Sequence, residues 1–505
     1  MPYLLGIDVG TSGTKSLLVD EAGRIAARAT LEYPLSTPQP GWAEQDPADW
    51  WQAAVGSIRE VLARSGIRPA QVAGVGLSGQ MHGSVFLDAA GQVLRPAILW
   101  CDQRTAAQCD WITQRAGREV VVRETCNPVL TGFTAPKIVW LQQHEPAAWA
   151  RVAKVLLPKD YVRYQLTGEF ATEVSDASGT SLLNVRERRW SAPMLEAVGL
   201  RPDMLPAVFE SPEVSGKISA AAAEATGLGA GTPVVGGGGD QAAGAVGNGI
   251  VEPGVISVTT GTSGVVFAYM DTPEMDPELR THTFCHAVPG KWHVMGVMLS
   301  AGGSLRWYRD TLGSEERAVA ERMGVDPYEL LCAQAAQAEA GCRGLVFLPY
   351  LSGERTPYPD PHARGVFFGL SLWHRREHLV RSVLEGVSYG LRDSLEILRG
   401  LGLPIRQVRA SGGGARSDLW RQIQADVFGC ELVTINVDEG PAFGAALLAG
   451  VGAGVYPSVP EACRRTITVT QRTEPNPDTA QVYERYYQVY RKLYPALKDR
   501  FADLG

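Results

Sequence analysis

A Gly-Thr-Ser-Gly phrase occurs once in each half of the chain, and each copy is flanked by apolar and β-branched residues. The first copy lies within residues 5–15 and the second within residues 255–265. This pattern is typical of a β-hairpin whose tip exposes backbone N–H groups and hydroxyls. Two such hairpins, one in each half, can hold a polyphosphate from both sides. The repeat therefore predicts two related lobes with a nucleotide between them.

Only the first copy contains an acid, since Asp8 aligns with Thr259 of the second copy. A carboxylate at the end of a strand can hold the Mg²⁺ ion of a nucleotide, either directly or through water. The alternative is an Asp that caps its own turn, but turn chemistry alone does not require this asymmetry. Lys15 either faces phosphate or is a solvated charge on a strand. The predicted phosphate-binding residues at the two tips are Thr11, Ser12, Gly13, Gly261 and Thr262.

Asp240 follows four consecutive glycines and begins a predicted helix of small residues, 241–246. The glycines let backbone and substrate approach each other closely. The helix N-terminus is expected to lower the pKa of the carboxyl and keep it ionised, as a base that accepts a hydroxyl proton must be. The alternative is an ordinary Asp N-cap, which does not explain four glycines. We expect Asp240 to be the catalytic base and Gln241 to contact the same substrate.

Gln80, Met81 and His82 follow a predicted buried strand, 72–77, at the edge where α/β proteins usually bind ligands. A neutral imidazole and an amide can hydrogen-bond sugar hydroxyls as donors and as acceptors. A structural histidine is an equally open interpretation. Three further candidate substrate ligands end the next strand: Trp100, Asp102 and Arg104. The last two of these could instead pair with each other.

Two other small-residue segments lie in the second half. Gly412, Gly413 and Gly414, followed by Ala415, would admit an adenosine against bare backbone, although a triple glycine is also common in loops. Residues 440–446 permit close helix packing, either near a nucleotide or elsewhere. The i, i+4 spacing of His282 and His286 would suggest a zinc site only if both lay on a helix. The β-branched residues around them argue against a helix, and so against a zinc site.

The chain of 505 residues has a formal net charge of −7 and a sequence pI of about 5.7, which argues against binding to nucleic acid or to an anionic membrane. No segment reaches the ~20 uninterrupted apolar residues of a membrane span. The eight cysteines are scattered without a CxxC spacing, and the chain begins with a predicted strand rather than a secretion leader. These features predict a cytoplasmic protein.

Strands and helices alternate in both halves, and each half begins with a hairpin, which predicts two α/β domains that face a cleft. We place the first domain at residues 1–248 and the second at residues 249–472. Residues 473–505 are expected to form a helix that packs its tyrosine-rich face on these domains. Such a cleft can close and exclude water, which competes with a weak nucleophile for phosphate.

Longer phrases along nearly the whole chain resemble those of the FGGY carbohydrate kinases. Residues 132–140 resemble the first signature of that family, and residues 365–370 with 378–385 resemble the second. Four further phrases resemble the branch that phosphorylates D-xylulose: residues 79–83, 157–161, 351–357 and 412–417. One departure is Cys101, which stands where that branch is expected to have Asn, so the preference among ketopentoses stays open.

The resemblance implies an α/β fold of two actin-like ATPase (ribonuclease H-like) domains facing a central catalytic cleft, with ATP and Mg²⁺ bound there. It implies phosphorylation of D-xylulose at O5, with Asp240 as base, Asp8 handling metal and ATP, and Met81 and His82 on the sugar. It also implies a homodimer as an assembly to test for. The alternatives are another substrate (ribulose, gluconate, glycerol or a deoxy-xylulose), a non-kinase actin-like ATPase, and a catalytically inactive sugar sensor. The presence of both acids, Asp8 and Asp240, disfavours the sensor.

Overall fold

The structure is a computed structural model that describes residues 1–504, and it contains two lobes that are each built around a seven-stranded mixed sheet. The strands of the first half are β1 Tyr3–Val9, β2 Gly13–Asp20, β3 Ile25–Glu32, β4 Glu44–Gln45, β5 Val72–Gly79, β6 Val85–Leu87, β7 Ala97–Ile98, β8 Lys154–Leu156, β9 Ala171–Glu173, β10 Leu183–Asn184, β11 Arg189–Trp190, β12 Ala207–Phe209, β13 Val214–Lys217, β14 Pro233–Val235 and β15 Gly238–Gly239. Those of the second half are β16 Gly254–Thr260, β17 Gly264–Met270, β18 His282–Cys285, β19 Trp292–Met298, β20 Val346–Leu348, β21 Val366–Phe368, β22 Ile405–Ser411, β23 Glu431–Ile435 and β24 Val469–Thr473.

The helices cover the two sheets and fill the space between them. They are α1 Pro47–Ser65, α2 Ala106–Ala116, α3 Arg118–Thr125, α4 Thr134–His144, α5 Pro146–Trp149, α6 Pro158–Thr167, α7 Val174–Ser178, α8 Ala192–Val198, α9 Ala220–Thr226, α10 Asp240–Gly247, α11 Gly302–Thr311, α12 Ser314–Met323, α13 Pro327–Ala335, α14 Arg376–Gly400, α15 Asp418–Phe428, α16 Gly440–Gly452, α17 Val459–Thr466 and α18 Pro477–Phe501. Among residues 1–504, no helix combines the length and the apolar composition that a membrane crossing requires.

The two large sheets repeat one arrangement. The first has the strand order β13-β14-β5-β1-β2-β3, with β15 also on β5, and the second has the order β18-β19-β17-β16-β22-β23-β24. In both sheets an antiparallel hairpin (β1–β2 or β16–β17) is followed by a parallel partner, β5 or β22. The duplicated hairpin predicted from the two Gly-Thr-Ser-Gly phrases is therefore present in both lobes.

The helices α10 and α16 are rich in small residues and pack against each other. A Cβ on Gly444 of α16 would overlap the carbonyl oxygen of Ala243 in α10, so the two backbones touch. The helix α16 comes from the second half of the chain but packs on the first sheet, where a Cβ on Gly6 would overlap the Ala442 carbonyl oxygen. The small residues of the segment 440–446 therefore permit close helix packing as predicted.

The C-terminal helix α18 lies on the second lobe. It buries Tyr483, Tyr487 and Tyr490 in the same core as Tyr350 and Tyr389, so its aromatic face packs against a domain as predicted. The helix is longer than its tyrosine-rich stretch, because Asn476 accepts a hydrogen bond from the backbone of Asp478 and begins it earlier.

Candidate functional site

The first hairpin holds Asp8 one residue before the end of β1. Asp8 pairs in register with Lys15 on β2 and with Ser78 on β5. Burial raises the pKa of the Asp8 carboxyl, and the neighbouring Ser78 and Lys15 only partly offset this. Within residues 1–504, its Oδ1 is buried without a hydrogen-bond partner. A buried carboxylate oxygen that lacks a donor fits a Mg²⁺ ligand.

The second hairpin carries a neutral pair at the equivalent position. Thr259 lies opposite Ser411 on β22, and the two hydroxyl oxygens are 2.8 Å apart. The glycines that follow β22 lie against this hairpin, and Gly412 has a φ of 80°. A Cβ at Gly412 would lie 2.7 Å from the Thr260 carbonyl oxygen, whereas one at Gly413 would meet nothing within 4 Å. The tip of the second hairpin and the loop after β22 are thus brought together. They contain the predicted nucleotide residues of the second lobe: Gly261, Thr262, Gly412, Gly413, Gly414 and Ala415.

A support for the second hairpin was missed in the sequence. Gly302 donates its N–H to the carbonyl of Gly261 at 2.7 Å, and Gly303 donates to the carbonyl of Thr262 at 3.0 Å. A Cβ at either glycine would crowd these carbonyl oxygens, which explains why α11 begins with two glycines. The signal that could have revealed it is a Gly-Gly pair placed directly between a strand and a helix.

Asp240 is the first residue of α10, and Gly239 occupies the N-cap position before it. The ordinary N-cap interpretation of Asp240 is therefore wrong. The glycines before it approach the neighbouring strand and loop closely: a Cβ at Gly237 would overlap the Leu77 carbonyl oxygen, and one at Gly239 would lie 2.9 Å from Met81 Cγ. The glycine run thus brings Asp240 beside the loop that follows β5.

The expected low pKa of Asp240 is wrong. Burial and the charge of Asp8 raise the pKa of the Asp240 carboxyl to about 7, although Gln241 lowers it in part. One short helix cannot offset the loss of water together with a second carboxylate. A pKa near the pH at which an enzyme operates still suits a general base, because a carboxylate with a higher pKa accepts a proton more readily.

His82 is held in an unusual conformation with its ring tautomer fixed. Its φ is 70°, and its Nδ1 lies 2.7 Å from the Gly179 carbonyl oxygen. Since a carbonyl only accepts, Nδ1 carries the proton and Nε2 is left as an acceptor. Burial lowers the pKa of the imidazole to about 3, so the ring is neutral. The ring stacks on Phe133 with 4.5 Å between centroids.

The backbone of His82 is fixed by the segment at the start of α4. Lys137 Nζ donates to the His82 carbonyl at 2.8 Å, and Thr134 Oγ1 donates to the same oxygen at 3.0 Å. Met81 is 4% exposed and packs against Gly239. Met81 therefore lies beside the glycine that precedes Asp240, and His82 is the next residue of the same loop. The two side chains that hold the His82 carbonyl lie 52 and 55 positions away, so local sequence did not reveal them.

Gln80 and Trp100 both contact Thr11 at the first hairpin. The Gln80 side-chain nitrogen donates to Gln45 Oε1 at 3.0 Å and to the Gly10 carbonyl at 3.3 Å, and Gln80 is 2% exposed. This geometry corrects the prediction that Gln80 contacts substrate, because its amide is already bound inside the protein. Trp100 donates from Nε1 to Thr11 Oγ1 at 2.9 Å, and its ring is 42% exposed at the hairpin tip.

Asp102 and Arg104 pair with each other, which was one of the two alternatives. Asp102 is fully buried and accepts hydrogen bonds from Ala43 N at 2.7 Å and from the Arg104 guanidinium at 2.7–3.0 Å. The guanidinium also lies 2.8 Å from Glu44 and stacks 3.6 Å from the centroid of the Trp42 ring. Both side chains are buried and paired with protein charges, which corrects the prediction that they bind substrate.

Lys15 forms an ion pair while its side chain stays 38% exposed. Its Nζ lies 2.8 Å from Glu439, the residue before α16, and Arg28 pairs with the same carboxylate. The first hairpin is thereby joined by an ion pair to a helix from the second half of the chain. The sequence could not reveal this pair, because its two residues are 424 positions apart.

Comparisons with known proteins agree over the whole chain. The FGGY family of carbohydrate kinases matches with its N-terminal domain over residues 3–247 and its C-terminal domain over residues 256–453. The chain is 43% identical over 494 residues to the xylulose kinase of Escherichia coli (strain K12), covering 98% of this chain and 99% of that protein. It is 32% identical over 505 residues to the gluconokinase of Bacillus subtilis (strain 168), covering 100% and 98%. The crystal structure of a xyloylose kinase from Brucella ovis superposes with a TM-score of 0.89 at 40% identity, covering 98% and 99%.

Proposed function

Because the chain belongs to the FGGY family of carbohydrate kinases, we propose that it transfers the γ-phosphoryl group of ATP to O5 of D-xylulose, giving D-xylulose 5-phosphate and ADP. The name of the Escherichia coli relative, a xylulose kinase, supports this substrate. The observation that carries the proposal is the pair of acids: Asp8 and Gly238, two residues before Asp240, both pair with Ser78 of β5. The charge of Asp8 also raises the pKa of Asp240. One can hold a metal while the other accepts a proton.

In the proposed reaction, Asp240 accepts the proton of the sugar hydroxyl as that oxygen attacks the γ-phosphorus. The O–H bond of the sugar breaks, an O–P bond forms, and the bond between the γ-phosphorus and the bridging oxygen of ADP breaks. Because the transferring phosphoryl group needs little covalent assistance, alignment of the attacking and leaving oxygens supplies much of the acceleration. The glycine run before Asp240 permits the close approach that this alignment requires.

Mg²⁺, held by Asp8, would supply positive charge beside the phosphates. The buried Oδ1 of Asp8, which has no hydrogen-bond partner within residues 1–504, supports this assignment. The chain's own contribution is the hairpin tip at Thr11, Ser12 and Gly13, whose backbone N–H groups and hydroxyls can hydrogen-bond phosphate oxygens. The ion pair between Lys15 and Glu439 places Lys15 beside this tip, so a bound phosphate would compete with Glu439 for it.

Sugar recognition is assigned to His82, Met81 and Gln241. The free Nε2 of a neutral His82 can accept a hydrogen bond from a sugar hydroxyl, and Gln241 can both donate and accept. The nucleotide is assigned to the second hairpin and to the Gly412–Gly414 loop. At Gly413 the protein leaves space next to the backbone, which suits an adenosine that lies against the chain.

The cellular setting and assembly form part of the same proposal. All eight cysteines are free thiols, which suits a reducing cytoplasm. We also expect a homodimer, which sedimentation equilibrium tests directly: a mass of about twice the 54.3 kDa chain supports the dimer, and a monomeric mass contradicts it.

The activity is tested in an ADP-release assay with a panel of D-xylulose, ribulose, gluconate, glycerol and deoxy-xylulose. Mass spectrometry identifies the products. D-xylulose should give the highest kcat/KM and one equivalent of sugar phosphate for each ADP. The gluconokinase relative makes gluconate the second candidate, and preference for gluconate would overturn the D-xylulose assignment. An ATPase without sugar stimulation and without sugar phosphate would instead indicate an actin-like ATPase that is not a sugar kinase.

A further inference from the structure

Five charged side chains are fully buried beneath the proposed sugar site. Lys159 Nζ is their centre, lying 2.7 Å from Asp160, 3.2 Å from Asp176 and 3.5 Å from Glu173. Arg163 completes the cluster at 3.5 Å from Asp160. Buried ion pairs often add little net stability, since each ion loses its hydration. A cluster of this size that takes no part in the proposed chemistry therefore calls for another role.

The cluster supports both loops of the sugar site through α6. Arg163 donates from its guanidinium to the Gly236 carbonyl, at the start of the glycine run that leads to Asp240. On the other side, a Cβ at Gly79 would lie 3.1 Å from Lys159 Cβ. The helix α6 is thus in contact with the loop that carries Met81 and His82 and with the loop that carries the base.

Ser175 makes the final connection to Asp240. Its hydroxyl donates to Glu173 Oε1 at 3.0 Å and accepts the Gly239 N–H at 3.1 Å. Gly239 is the residue directly before Asp240. The Ser175 hydroxyl therefore bridges the buried charge cluster and the backbone directly before the base.

Glu173, at the other end of this bridge, is strongly held. It also accepts hydrogen bonds from Ser175 N at 2.7 Å, Asp176 N at 2.9 Å and Ser211 Oγ at 3.0 Å. Four hydrogen bonds to its two carboxylate oxygens make Glu173 the fixed end of this bridge.

We propose that Ser175 is a positioning residue for Asp240, which fixes the Gly239 backbone against Glu173 so that the base meets the sugar hydroxyl in line. The inference rests on the proposed function only in taking Asp240 as the base. Since a displacement of about 1 Å can lower a rate about 10²-fold, loss of this single contact should lower kcat rather than binding.

The test is a double-mutant cycle of Ser175→Ala and Asp240→Ala, run with whichever sugar of the panel the wild type phosphorylates. Ser175→Ala should lower kcat about 10- to 100-fold and change KM for ATP and sugar by less than about twofold. In the Asp240→Ala background the same substitution should change turnover by less than about twofold, because a positioning residue has no effect once the base is gone. The control is Thr172→Val, which removes a buried hydroxyl without a hydrogen-bond partner in residues 1–504.

Ser175→Cys serves if Ser175→Ala is poorly folded, since it keeps a similar volume with a weaker hydrogen-bonding group. This variant should also lower kcat, and its melting temperature should equal that of the wild type. A kcat of Ser175→Ala or Ser175→Cys equal to that of Thr172→Val would overturn the proposal, and so would effects that multiply in the double variant. Wild-type turnover in Asp240→Ala alone would refute the base itself, which separates failure of the proposed function from failure of the positioning role.

Discussion

Asp8 and Thr259 occupy the same position in the two sheets. Each lies near the end of the first strand of a hairpin and opposite a serine of the parallel neighbour, Ser78 or Ser411. The threonine completes a neutral hydroxyl pair, whereas the acid keeps one buried oxygen without a hydrogen-bond partner in residues 1–504. The two hairpins are therefore similar in structure, and only the first carries a carboxylate that could bind a metal.

Asp8→Asn should lower turnover about 10²- to 10³-fold and raise the Mg²⁺ concentration needed for half-maximal rate, because a charged ligand is lost. Titration of the rate with Mg²⁺ at fixed ATP measures both effects. Thr259→Val is the matched control at the equivalent position and should leave the Mg²⁺ titration unchanged. A wild-type Mg²⁺ curve for Asp8→Asn would contradict the metal assignment.

The pH dependence should reflect the raised pKa of Asp240, about 7. The base acts only when ionised, so kcat/KM should fall about tenfold per pH unit below about pH 7 and level off above it. Because the charge of Asp8 contributes to this raised pKa, Asp8→Asn should move the acid limb to lower pH. Profiles at low concentrations of both substrates test this, and a flat profile from about pH 5 to 8 would contradict it.

Gly179→Ala should disturb sugar binding by displacing His82. A Cβ at this position would lie 2.5 Å from the imidazole ring, so the ring or the loop must move. We expect KM for the sugar to rise about tenfold, the loss of roughly one hydrogen bond, with KM for ATP unchanged. Gly400→Ala, where a Cβ meets nothing within 4 Å, is the control and should behave as wild type. An unchanged sugar KM in Gly179→Ala would argue against His82 as a sugar ligand.

Gly413→Ala tests the nucleotide loop. The added methyl meets no atom of residues 1–504 within 4 Å, so the melting temperature should stay at the wild-type value. The same methyl would fill space assigned to adenosine, and KM for ATP should rise by roughly tenfold while KM for the sugar is unchanged. Equal ATP affinity in the variant and the wild type, measured by calorimetry, would contradict the assignment of adenosine to this loop.

The predictions that the structure or the comparisons confirm rest on local or repeated patterns. The fold class, two actin-like ATPase (ribonuclease H-like) domains, is confirmed by the repeated sheets and the family match over both halves. A hairpin or a glycine run is legible in sequence because neighbouring residues determine its backbone. The start of α1 is local in the same way, because Asp46 is its N-cap and Pro47 its first residue.

The predictions that failed depended on partners far away in the chain. Gln80 was a candidate sugar ligand, but its amide is taken by Gln45, which no local pattern connects to it. Asp102 pairs with the nearby Arg104, as the sequence allowed, and only its further bond to Ala43 N depends on a distant residue. The pKa of Asp240 was expected to be low because the helix end was visible in the sequence and its burial beside Asp8 was not. Polar residues near a site can be identified from sequence, but which of them remain free for a ligand is a property of the packed structure.

Asp240 as the base is the central claim, and Asp240→Ala tests it most directly. Turnover should fall about 10²- to 10⁴-fold, as for loss of a general base, while dissociation constants for ATP and sugar measured by calorimetry stay within about threefold of the wild type. Asp240→Asn, which keeps the shape of the side chain, should lose a similar amount. Turnover within a few-fold of the wild type in either variant, with product verified by mass spectrometry, would contradict the account.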